Sequence, residues 1–260
     1  MKNLIILLLA LSALVSTAEL SVQQIVEKAN FASYYAGKDG KATVTMTIND
    51  KNGQKRIREF VILRKDEKDA GNQKFYVYFK KPFDVRKMAY LVWKHVAIDD
   101  DDDRWLWLPD LNLKKRIAPG DKRSSFVGSH FLYEDVSGRN LSEDKHELIE
   151  TTQTHYLIKN TPVNPNEVEF SYYNIWINKE NFLPQKAIYF KKETKKKYRM
   201  VEVLEIKDIQ GFPTVVKSKA SDLETGGFTI NTFSDVKYNI NLKERIFTER
   251  FLRRPPREVR

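Results

Sequence analysis

The chain has 260 residues and no cysteine. That excludes disulfides, a cysteine nucleophile and a lipid attached at an N-terminal cysteine. A domain without a covalent staple must be held by its core. Histidine is also scarce. His95, His130, His146 and His155 stand at no metal-ligand spacing, and neither HExxH nor HxH occurs. Gly-x-Ser-x-Gly elbows and phosphate-cradling glycine loops are missing as well. These absences leave no recognisable catalytic constellation. The expectation is a protein that is not an enzyme and carries no cofactor or metal. His130, set between Ser129 and Phe131, is the most suggestive histidine, and a structural role is expected for it. The aspartate run Asp99 to Asp103 lacks the spaced ligands and the glycine of a calcium loop. It reads as a solvated turn whose charges blunt a sheet edge.

Long apolar runs are missing too, after the first residues. Leu4 to Val15 is an apolar stretch behind Lys2, followed by the small residues Ser16-Thr17-Ala18. It is short for a membrane span and suits a secretory signal peptide over residues 1–18, with an uncleaved anchor as the alternative. Residues 19–260 then form a single domain, soluble and not lipidated, which in a Gram-negative cell means the periplasm. The net charge is +10. In an exported protein this points away from nucleic acid and toward anionic lipid head groups or an acidic partner, unless the basic surface has no function.

The remaining pattern is mostly period two. Ser21 can cap a helix through Ile25, Ala29, Phe31 and Ala32, with Gly37 as its stop. From Val44 onward, alternating runs separated by turn signals predict roughly a dozen consecutive antiparallel strands, a sandwich or barrel. The segment Ser124 to Asp135 reads as a short helix or turn packed on the sheet. Aromatic residues make up 12% of the chain and often occupy both faces of a strand. Such strands need either a second cover or a cavity to line. Pattern alone leaves a plain sandwich core and a cavity equally open.

One stretch adds a resemblance. Asp103-Arg104-Trp105-Leu106-Trp107-Leu108-Pro109, the basic Lys114-Lys115-Arg116-Ile117, then Ser125-Phe126-Val127-Gly128-Ser129 and Tyr133-Glu134-Asp135 resemble the LolA-like outer-membrane lipoprotein-sorting proteins. The similarity is to the periplasmic branch associated with RND-type exporters. His130 and Leu132 depart from that pattern, which has an acidic and a small polar residue at these places. The resemblance implies a mainly β fold, a strongly curved antiparallel half-barrel of about eleven or twelve strands, with helices covering a concave apolar cavity. It implies a carrier or chaperone that binds acyl chains of a lipid or lipoprotein and hands them between membranes or membrane-protein partners. An inner-membrane RND-type transporter is one such partner. The alternative is an accessory interaction subunit of an envelope complex. Candidate lining residues are Phe60, Phe75, Phe79, Leu91, Trp93, Trp105, Trp107 and Phe126. Candidate docking residues for a partner or an anionic membrane surface are Lys191, Lys192, Lys195, Lys196 and Lys197 at a hairpin tip, with Arg253 and Arg254 in the tail.

Overall fold

The computed structural model describes residues 19–68, 70–97 and 100–260. The signal-peptide expectation concerns residues outside these. Ser21 caps the first helix, α1 (Val22–Tyr34): its hydroxyl accepts from the Gln24 backbone N–H, and the Gln24 side chain accepts from the Ser21 N–H. The helix stops at Tyr34, ahead of Gly37. No helix among the described residues is long and apolar enough to cross a membrane.

One curved antiparallel sheet follows. Its strands are β1 (Asp39–Asn49), β2 (Lys55–Asp66), β3 (Gln73–Lys81), β4 (Ala89–Lys94), β5 (Asp103–Leu108), β6 (Leu113–Arg116), β7 (Asp144–Thr151), β8 (His155–Pro162), β9 (Phe170–Asn178), β10 (Pro184–Lys191), β11 (Lys197–Ile209), β12 (Phe212–Asp222) and β13 (Phe228–Tyr238). There are thirteen where about a dozen were expected. The addition is β7, whose Asp-Lys-His-Glu-Leu-Ile-Glu-Thr has no clean alternation because it is a largely exposed edge strand.

The strands are antiparallel as expected, but they do not pair consecutively throughout. The sheet order is β6-β5-β4-β3-β2-β1-β13-β12-β11-β10-β9-β8-β7. The chain starts in the middle, runs out to one edge at β6, crosses to the opposite edge at β7, and returns until β13 pairs with β1. The crossover is residues 117–143. It contains a short helix, α2 (Tyr133–Ser137), and carries the Ser125-Phe126-Val127-Gly128-Ser129 and Tyr133-Glu134-Asp135 stretches.

Both faces of the β2–β5 half are covered. On the inner face, Phe60, Phe75, Phe79, Tyr90 and Leu106 pack against Ile117, Phe126, Phe131 and Tyr133 of the crossover. On the outer face, Val61, Leu63, Tyr76, Leu91 and Trp105 pack under the C-terminal tail, through Leu242, Ile246, Phe247, Leu252 and Val259. The tail's helix, α3 (Arg250–Arg253), is one turn long. The aromatic strands with two apolar faces are thus explained by two covers on this half.

Candidate functional site

The concave face is covered at two places and open between them. At one end the crossover seals β2–β5. At the other, Ile25, Val26 and Ala29 of α1 pack on Tyr156, Ile158 and Ile177 of β8 and β9. Between these plugs lies a cavity of about 500 Å³. Its walls include Val26, Ala29 and Ser33 of α1, Phe126, Phe131 and Val136 of the crossover, and Ala187, Val201 and Phe233 from β10, β11 and β13. The lining is mainly apolar.

The crossover is fixed in two ways. Phe126 sits at the centre of an aromatic cluster, with ring centroids 6.2 Å from Phe60, 5.8 Å from Phe79, 5.6 Å from Tyr90 and 5.4 Å from Tyr133. The loop is tightened by the Phe126 N–H donating to the Phe131 carbonyl at 2.8 Å. Val127 takes φ +48° in this turn, a left-handed conformation that a β-branched residue rarely adopts.

The second fixation is ionic. Glu134 is buried among Arg123 (2.5 Å), Arg139 (3.3 Å) and Lys122 (3.8 Å). Burial pushes its carboxyl up, but the Arg123 and Arg139 guanidiniums outweigh burial and hold it below the usual carboxylate range. Arg123 lies 4.7 Å from the Phe170 ring centroid and 5.3 Å from that of Tyr189, so the cluster also stacks on β9 and β10. Asp135 pairs with Arg199 of β11. Glu134, through Arg123, and Asp135 therefore tie the crossover to the far half of the sheet, while Phe126 and Tyr133 tie it to the near half.

Lys94 completes the roof. Its ammonium donates to the carbonyls of Ser137 and Gly138 at 2.7 and 2.8 Å, at the end of α2. Gly138 is required there: a Cβ would lie 2.4 Å from the Tyr34 ring of α1. Burial pushes the Lys94 ammonium down to about 8. An unfolded chain holds that proton up to an ordinary lysine value, so between these limits it binds more protons than the folded chain. Stability then rises with pH through this window. In urea titrations at pH 8 and pH 10, the wild type should gain stability relative to Lys94→Met. Equal pH dependence of the two proteins would contradict the assignment.

The proposed lining residues divide. Phe60, Phe75 and Phe126 border the cavity, and Phe79 stands beside Phe126 in the adjoining core. Leu91, Trp93, Trp105 and Trp107 stand on the opposite face, under the tail. The Trp93 indole N–H donates to the Phe247 carbonyl at 2.7 Å. These four are not among the side chains that border the cavity. Period two assigns residues to a face but does not say which face is concave. Ala187 and Val201 also line the cavity, and small and medium apolar residues on a strand carry no signal of one. Phe233, though large, lines it as well, and period two does not say that its face is the concave one.

His130 anchors the crossover tip to β13. Its backbone N–H donates to the Thr229 hydroxyl at 3.0 Å, and its Nδ1 lies 2.8 Å from the same oxygen. The aspartate run is not wholly solvated: Asp102 is buried on Arg104 at 2.5 Å. The lysine tip Lys191–Lys197 is the turn between β10 and β11, and Arg253 and Arg254 are exposed in the tail.

This architecture, an open curved sheet with a roofed apolar hollow, defines the class: the fold is that of the LolA-like half-barrels. It is similar to a domain provisionally named an outer membrane lipoprotein-sorting protein domain from Vibrio parahaemolyticus, with TM-score 0.80, 21% identity, and coverage of 90% of this chain and 98% of that one. It is similar to a DUF1329 family protein from Desulfovibrio piger, with TM-score 0.77, 26% identity, and coverage of 89% and 95%. A LolA superfamily protein from Nitrosomonas europaea superposes with TM-score 0.69 at 20% identity, covering 90% and 100%. A search of curated proteins finds no match. A family model described as "-like: Uncharacterized protein" matches residues 71–254, and the chain belongs to that family.

Proposed function

We propose that this protein is a periplasmic carrier that binds acyl chains of a lipid or lipoprotein in its concave cavity and hands them between membranes or membrane-protein partners. The observation that carries this reading is the roofed cavity of about 500 Å³ with mainly apolar walls, within the range of small-molecule sites. Burying an acyl chain of about sixteen carbons at ~0.8 kcal/mol per CH₂ is worth on the order of 12 kcal/mol. Such a cargo stays bound in water, so delivery requires direct transfer to another apolar site. An inner-membrane RND-type transporter is the partner that the sequence resemblance supports for this step.

Native mass spectrometry of the purified protein, with lipids extracted from the same sample, tests the reading. A phospholipid or acylated species at about one per chain is expected. An empty protein that also fails to take up a fluorescent fatty acid would overturn the carrier reading, and the alternative of an accessory interaction subunit would replace it.

A further inference from the structure

The two ends of the sheet differ. Antiparallel pairing puts the β1–β2, β3–β4, β5–β6, β8–β9, β10–β11 and β12–β13 connections on one rim, and the aspartate-bearing β4–β5 connection on the other. On the first rim, Phe83 in the β3–β4 loop is 80% exposed and Leu111 in the β5–β6 turn is 68% exposed. They exceed every other large hydrophobic side chain among the described residues in exposure. The two connections are neighbours, because β3 to β6 are consecutive in the sheet.

Cations surround these tips. Lys80, Lys81, Arg86 and Lys87 flank Phe83, with Asp84 among them and Glu59 paired to Lys81 at 2.9 Å. The Arg86 guanidinium lies 5.1 Å from the Phe83 ring centroid. Beside the other tip, Lys114, Arg250, Arg253 and Arg254 border one depression with Trp107 and Glu249. Glu249 pairs with Lys114 and Asp110 adjoins Leu111, so cations outnumber acids there, and the lysine turn between β10 and β11 is on the same rim. Single exposed apolar residues need no explanation. Two at adjacent loop tips, each with basic residues in excess over acidic ones around it, match a bilayer interface. Apolar tips enter the boundary between head groups and acyl chains, while lysine and arginine stay with the phosphates.

We propose that this rim docks the protein on an anionic bilayer surface, with Phe83 and Leu111 entering the interface. The proposal goes beyond the carrier reading and stands without it. The test is co-sedimentation of the purified protein with vesicles of phosphatidylglycerol and phosphatidylethanolamine, and with vesicles of phosphatidylcholine. Fatty-acid uptake is measured on the same samples. Any contribution of the N-terminal segment is common to wild type and variants.

The wild type should bind the anionic vesicles, more weakly as salt rises. Phe83→Ser with Leu111→Ser should weaken binding by about tenfold or more. Arg86→Gln with Lys87→Gln should weaken it by roughly thirtyfold, at about one kcal/mol per basic residue, and only on anionic vesicles. Wild-type protein that ignores anionic vesicles, or variants that bind as the wild type does, would overturn the proposal. So would a benzoylphenylalanine at position 83 that crosslinks to an acidic protein while vesicles are ignored. Retained fatty-acid uptake in any of these cases would leave the carrier reading intact, and loss of uptake with vesicle binding preserved would do the reverse.

Discussion

Glu134→Gln should destabilise the fold by roughly 3 kcal/mol, the lower end of what breaking a buried ion pair costs. The glutamine fits the space but leaves the guanidiniums of Arg123 and Arg139 without their shared carboxylate. The estimate sits at the lower end because both keep other partners: Arg139 binds Asp144 at 2.8 Å and Arg123 binds Glu169 at 2.7 Å. Glu169→Gln is the informative comparison. Its side chain is 46% exposed against 3% for Glu134, so solvent screens the pair and the expected loss is below about 1 kcal/mol. Urea unfolding of the two variants checks the ordering. Equal losses would mean that the buried hub does not hold the crossover.

Ala187→Trp should abolish most cargo uptake while leaving the protein folded. Ala187 lies in mid-β10, paired with Ile175 on one side and Val201 on the other, and borders the cavity. An indole there extends into open space rather than into packed core, so overpacking, which costs about 1–3 kcal/mol in a filled interior, is expected at its lower end. Fluorescent fatty-acid binding should fall at least about tenfold, a loss on the scale of a few buried methylenes. Unchanged binding in a folded variant would place the cargo elsewhere.

Much of the fold is legible in the residues themselves. The Ser21 cap and the alternation from Val44 onward each announce their element through local chemistry. β7 does not, because an edge strand buries too little to need alternation. The crossover is harder. Nothing local says that residues 117–143 span the sheet; that follows from which edges β6 and β7 occupy, a long-range fact. The same limit explains the divided lining set. Phe75 and Tyr76 are equally apolar neighbours, and only the crossover on one face and the tail on the other distinguish their surroundings. The ionic roof was half visible. Glu134 and Asp135 stood in the motif, but Arg123, Arg139 and Arg199 become their partners only through the fold.

The pairing of β1 with β13 at the centre of the sheet, such as Thr45 opposite Thr232, also bears on how the chain reaches this state. Synthesis delivers the N-terminus first. Until the last strand arrives, β1 presents an open row of backbone donors and acceptors along its full length, in a strand with an apolar inner face. The sheet therefore closes at its middle and at the end, through contacts far apart in sequence, which makes folding slow. The interval before closure is when the chain is most exposed to strand-to-strand aggregation, and when a holding chaperone has the most to protect.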